Sequence, residues 1–163
     1  YSRNSRTEVA RDEIEFSELV NDVLDNFRFD DQFKKTKFEI SVAPDSTRMT
    51  ADRQRMKIVL NNLVSNALKF YKRVGDVQHH VSIRTALANG MRIIEVVDTG
   101  EGISETHLHR IFDMFYRAND HVWGSGLGLY IAKETAEKMG FGIEVESKHG
   151  EGSTFRLREL EHY

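Results

Sequence analysis

Cysteine is absent from the sequence, which excludes a disulfide framework and thiolate metal sites and is compatible with a reducing compartment. No apolar run reaches the 18 residues of a membrane-spanning helix, and no secretory leader pattern is present. This fragment is therefore expected to make no direct membrane contact. Excess charge of one sign is missing as well: 23 Lys and Arg are interspersed with 26 Asp and Glu, for a net charge of −3. Binding to a phosphate backbone needs a basic footprint, so nucleic acid is not an expected partner. What is present, 163 residues of which 39% are hydrophobic and 10% aromatic, is enough for one domain with a real core.

Residues 52–71, DRQRMKIVLNNLVSNALKFY, are the centre of the chain. At the helical spacing of about 100° per residue, Met56, Val59, Leu60, Leu63, Val64, Ala67 and Phe70 share one apolar face, the pattern of a helix laid on a sheet. Asn62, Asn66 and Lys69 form a polar row beside that face. Two amides and an ammonium there fit a metal and phosphates, or simply a solvated helix border.

Residues 1–14 are charged, nearly devoid of large apolar residues and begin without Met, so they read as the cut end of a longer helix. Phe16, Leu19, Val20, Val23, Leu24 and Phe27 continue at helical spacing to about Phe33, with Ser17 in the first turn. Residues 37–42 alternate as a strand, Pro44 closes it, residues 48–51 are extended, and Asp52 caps the central helix. Residues 73–80 read as a turn. Val81, Ile83, Thr85 and Leu87 alternate up to an Ala88-Asn89-Gly90 turn, and residues 91–97 return as a second strand that ends in Asp98-Thr99-Gly100-Glu101-Gly102. Residues 104–115 predict a short helix with Ser104 as N-cap and Ile111, Phe112 and Phe115 on one side. Residues 116–123 have no periodicity. GSGLGL, residues 124–129, runs into a helix over 127–139, and strands at 142–148 and 153–160 flank His149-Gly150-Glu151-Gly152. About three helices and five or six strands, mostly hairpin-connected, predict an α+β two-layer sandwich.

Three glycine-containing boxes have a chemical reading. Asp98 at the end of a buried strand is costly unless it accepts strong hydrogen bonds, and an adenine amino group is one such donor. Gly100 and Gly102 would let the backbone turn and approach a flat ring; a solvated β-turn is the alternative. Alternating glycines before a helix expose backbone N–H groups and a helix N-terminus, a means of holding phosphates. The spacing matches neither a P-loop nor a dinucleotide fold. The third box, residues 150–154, is on its own no more than a hairpin turn.

In their order over about 100 residues, these segments closely resemble the catalytic ATP-binding domain of bacterial sensor histidine kinases. NNLVSNALKF resembles the family's N box, DTGEGI its first glycine box, RIFDMFYRA its F box and GSGLGLYIAKETAEKMG its second glycine box. The resemblance implies the two-layer sandwich shared with gyrase-type ATPases, the Bergerat-type fold: a mixed, mostly antiparallel sheet of about five strands covered on one face by about three helices. It implies a domain over residues 15–160, preceded by a remnant of a dimerisation helix or linker at 1–14 and followed by a tail at 161–163, in part an expression scar.

By the same resemblance, Asn66 is the Mg²⁺ ligand, with Asn62 assisting; octahedral Mg²⁺ that keeps waters and phosphates needs only one or two such oxygens. Lys69 reaches the phosphates and Phe70 lies against adenine. Asp98 takes the adenine amino group, with Gly100, Gly102, Ile103 and Thr154 around the base. Gly124, Ser125, Gly126, Leu127, Gly128 and Leu129 line the phosphate end. Residues 103–123, including Phe112 and Arg117, form a lid, with Arg117 on phosphate.

The implied cofactors are ATP and Mg²⁺. The implied partners are ATP and ADP, the dimerisation and phosphoacceptor domain of the longer kinase, and a response-regulator receiver domain. The longer protein is expected to be a homodimer with this domain in the cytoplasm, either soluble or membrane-anchored. Departures from the family pattern are Phe70-Tyr71 where many relatives have Tyr-Thr, a short lid between Arg117 and Gly124, and no His followed by Glu or Asp as phosphoacceptor. His79-His80, His107, His109 and His121 lack cysteine or carboxylate partners at zinc-ligand spacing. A hydrolase of this fold uses a Glu where this chain has Asn62, which cannot act as a base. An ATP-binding-only regulator or anti-sigma-type serine kinase is the remaining alternative.

Overall fold

The computed structural model describes residues 8–118 and 126–161. Its framework is a five-stranded sheet of β2 (Thr36–Val42), β4 (His79–Ala88), β5 (Met91–Asp98), β7 (Gly152–Glu159) and β6 (Phe141–Lys148), hydrogen-bonded in that order. β2 runs parallel to β4 and every other neighbour is antiparallel, so the sheet is mixed and mostly antiparallel, as expected. The parallel pair requires a crossover, supplied by β3 (Arg48–Ala51) and helix α3 (Arg53–Lys69). The β4–β5 hairpin closes through Asn89 and Gly90, both at positive φ, as a two-residue turn of this hand demands.

One face of the sheet carries the core. Val81 and Ile83 of β4, Ile94 and Val96 of β5, and Phe155 and Leu157 of β7 are buried at alternating positions. Met56, Val59, Leu60, Leu63, Val64 and Ala67 of α3 lie buried against them as the helical period requires. Helix α1 (Phe16–Asp25) and helix α5 (Gly128–Lys138) flank α3. The opposite face is polar: Arg156 pairs with Glu95 at 2.8 Å and Glu146 at 3.0 Å, and Arg158 with Glu144 at 2.9 Å. This is the α+β sandwich with three principal helices on one face.

Three expectations give way. The helix expected over residues 15–33 breaks in two, because α1 ends at Asp25 and Asp30 caps the one-turn α2 (Asp31–Lys34) by accepting from Phe33 N at 3.0 Å. The helix expected up to residue 14 is replaced by strand β1 (Asp12–Glu15), which pairs antiparallel with β3 and buries Ile14 opposite Met49; residues 1–7 lie outside the described residues. The helix expected over 104–115 shrinks to α4 (Glu105–Leu108). Ser104 occupies its N-cap position, but its hydroxyl bonds Thr106 Oγ1 rather than a backbone N–H. Phe115, at φ 64°, points to solvent.

Candidate functional site

The site is built at the end of β5. Asp98 is the strand's last residue, 5% exposed, between Val81 of β4 and Ser153 of β7 in register. Its Oδ1 accepts from Gly100 N at 2.8 Å, and Ser153 N–H also bonds the carboxylate. Burial outweighs these two donors and pushes its pKa up to about 6. A carboxylate in this state gains from one more donor.

The turn after Asp98 is stitched to its surroundings by backbone. Glu101 N donates to Phe70 O at 2.9 Å, joining the turn to the end of α3. A Cβ on Gly100 would stand 2.2 Å from that carbonyl, and one on Gly102, at φ 71°, 2.1 Å from Lys148 O. The room these glycines leave at their Cβ positions is thus taken by the protein's own carbonyls. Ile103 N is held by Ser147 Oγ at 2.8 Å, while Ser147 Oγ meets Ser153 Oγ at 2.7 Å and donates to Gly152 O at 2.9 Å. Ser147 ties the first glycine box to the third, and only its register opposite Ser153 could have marked it in the sequence.

Thr154 requires a correction. It pairs with Val97 and Glu146, on the sheet face opposite to Phe155, Leu157 and Asp98. Ser153 is the β7 residue that meets Asp98; strand parity counted back from Phe155 identifies it.

The second half of the site lies between α3 and α5. Asn62 Nδ2 donates to Ile58 O at 2.8 Å, and its Oδ1 stands 3.2 Å from where a Gly128 Cβ would be. Gly128 therefore gives Asn62 its close approach to the start of α5. Leu127 provides no side-chain cap at the start of this 11-residue helix, whose N-terminus carries the positive end of the helix dipole. Asn66, one turn along α3, is half-buried, and its amide has no protein partner among the described residues. Gly126, at φ 77°, packs under Phe115, whose N–H donates to Gly126 O at 3.0 Å.

Other expected site residues go elsewhere. Lys69 lines a cleft of about 190 Å³ with Phe27, Asp30, Ser65 and Tyr71, on the α1 side of α3 rather than the α5 side. Phe112 stands edge-on to Phe155, with ring centroids 6.2 Å apart, and Ile103 and Leu129 also pack on the core. Phe70 is half-buried at the C-cap of α3, beside Gly100. Arg117 is exposed. Gly124, Ser125 and residues 119–123 of the expected lid lie outside the described residues.

Residues 51–162 match the family model of the histidine kinase-, DNA gyrase B-, and HSP90-like ATPases. The chain is 32% identical to the sensor histidine kinase AtsR of Burkholderia thailandensis over 94% of its own length and 26% of that protein's. It is likewise 32% identical to the aerobic respiration control sensor protein ArcB of Escherichia coli, over 88% of the chain and 19% of ArcB. The chain thus spans about a quarter or less of these relatives. Among solved structures, full-length ShkA in complex with AMPPNP superposes with a TM-score of 0.79 at 26% identity, covering 93% of this chain and 31% of that one. The nucleotide-free catalytic domain of the histidine kinase ThkA gives 0.75 at 26% identity, over 92% and 95%.

Proposed function

Because the chain belongs to the family of histidine kinase-, DNA gyrase B-, and HSP90-like ATPases, we propose that it binds Mg-ATP and hands the γ-phosphate to a histidine on a separate domain. That domain is the dimerisation and phosphoacceptor domain of a homodimeric sensor kinase, which then passes the phosphate to an aspartate of a response-regulator receiver domain. The kinase works on the cytoplasmic side, and ADP is its by-product.

Asp98 accepts the adenine amino group, with Ser153 and the Gly100 turn bounding the base. The first-turn N–H groups of α5 and its opening glycines receive the phosphates. Mg²⁺, when bound, neutralises phosphate charge, and an Asn66 oxygen is the protein group that would hold it. Phosphoryl transfer asks the protein mainly for position and charge neutralisation, which a rigid α3–α5 pair supplies.

The observation that carries transfer rather than hydrolysis is the position of Asn62. An amide, tied to the Ile58 carbonyl and set against Gly128, occupies the place one turn before Asn66 where a hydrolase needs a carboxylate to activate water. The test mixes this chain with the helical segment that precedes it in the full-length protein and γ-labelled Mg-ATP. Acid-labile, base-stable label on that segment is expected. ATP binding with no transfer would overturn the kinase reading in favour of an ATP-binding-only domain.

A further inference from the structure

Arg55 heads the fully buried side chains of the described structure by volume, and it sits in the first turn of α3, about three turns before Asn66. Its guanidinium Nη1 is 2.7 Å from Asp52 Oδ2, and both residues are 1% exposed. Asp52 caps α3 through Oδ1, which accepts from Arg55 N at 3.1 Å. Capping alone does not require burial or a cation. The pair does more: Asp52 Oδ2 also accepts from Ala10 N at 3.0 Å, and Arg55 Nη1 also donates to Glu8 O at 3.0 Å. One turn of helix thus holds both a donor and an acceptor of the incoming backbone. Asp12 adds a third tie by accepting from Arg53 N at 3.0 Å. A buried ion pair contributes little net stability over apolar packing of the same volume, whereas it fixes direction.

We propose that Asp52 and Arg55 are positioning residues that latch residues 8–10 onto the first turn of α3, and so fix how the chain preceding this domain is aimed at the nucleotide. Asn66 lies about 20 Å along the same helix, at 1.5 Å per residue. A rigid entry at one end of α3 thereby sets the reach between the nucleotide and an acceptor carried upstream. The proposal rests on the phosphotransfer reading above.

The test uses the full-length protein and this chain side by side. The paired variant Asp52→Asn with Arg55→Leu removes both charges together, so neither is left buried alone, and it keeps a capping oxygen. Ala10→Pro removes the Ala10 donor and touches no residue of α3. For each, ATP affinity is measured by calorimetry, together with autophosphorylation of the full-length protein at saturating ATP and transfer from this chain to an acceptor domain added as a separate polypeptide.

A latch predicts autophosphorylation lower by roughly tenfold or more, with ATP affinity and transfer to the separate acceptor within about twofold. Unchanged autophosphorylation in both variants overturns the latch. So does a parallel fall of all three quantities, which marks damage to the fold. An unmutated full-length protein that forms no acid-labile label would instead sink the phosphotransfer reading, and the latch with it.

Discussion

Asp98 carries the most consequences of any single residue. Its pKa of about 6 lies above the ordinary 3.8 because burial penalises the charge. The folded chain therefore holds this proton more tightly than the unfolded chain, and ionisation of Asp98 lowers stability as pH rises from about 4 through about 6. The difference of about 2 units, at about 1.4 kcal/mol each, bounds that cost at about 3 kcal/mol. Asp98→Asn is accordingly expected to melt no lower than the parent chain at pH 8, while ATP binding weakens by roughly 10- to 100-fold through loss of a charged acceptor. Affinity of the parent chain should fall about tenfold between pH 8 and pH 5, and the variant should lack that slope. Calorimetry at the two pH values checks both. A second prediction at this scale concerns Asn62: intrinsic ATP hydrolysis should be negligible in a phosphate-release assay, and a brisk turnover abolished by Asn62→Ala would contradict the transfer mechanism. Asp98 was legible in the sequence because it ends a β-rich run just before two glycines. Ser153 was not chosen over Thr154, since their roles depend on which face of β7 each presents and not on residue type.

The elements differ in how openly they are written. Helix α3 was readable to within two residues because its apolar face repeats over four turns and Asp52 marks its start. Strand β1 was hidden, since its four residues hold one apolar side chain, Ile14, and its partner β3 comes some 35 residues later. The second glycine box was recognisable as the opening of a helix, yet the setting of Gly128 against Asn62 emerges only when α3 and α5 pack. That packing yields the next prediction. If α3 presents Asn66 to a divalent cation beside the start of α5, Asn66→Ala should bind ATP equally with and without Mg²⁺. The parent chain should bind more tightly with the metal. Calorimetry in magnesium and in chelator tests this, and a persisting magnesium effect in the variant would move the metal ligand elsewhere.

At the scale of the whole molecule, function depends on strand order. The β4–β5 and β6–β7 hairpins follow from local turn signals, but the insertion of β7 between β5 and β6, and the parallel pairing of β2 with β4, are long-range choices that no local period encodes. The first of these choices brings Ser153 beside Asp98, and the layer of helices above brings Asn62 to Gly128. A nucleotide that occupies both places ties β5, β7, α3 and α5 together, and binds only when all four are in place. It should then stabilise the fold as a unit by mass action. At about 100 times its dissociation constant, Mg-ATP is expected to add about 2.7 kcal/mol, which for a chain of this size raises Tm by roughly 5–10 °C. The shift should grow with the logarithm of ATP concentration, shrink in chelator and fall to roughly 1–5 °C for Asp98→Asn at the same concentration, where the ligand stands at only about 1–10 times the variant's dissociation constant. A differential scanning experiment that gives the parent chain and Asp98→Asn equal shifts would place ATP away from the end of β5.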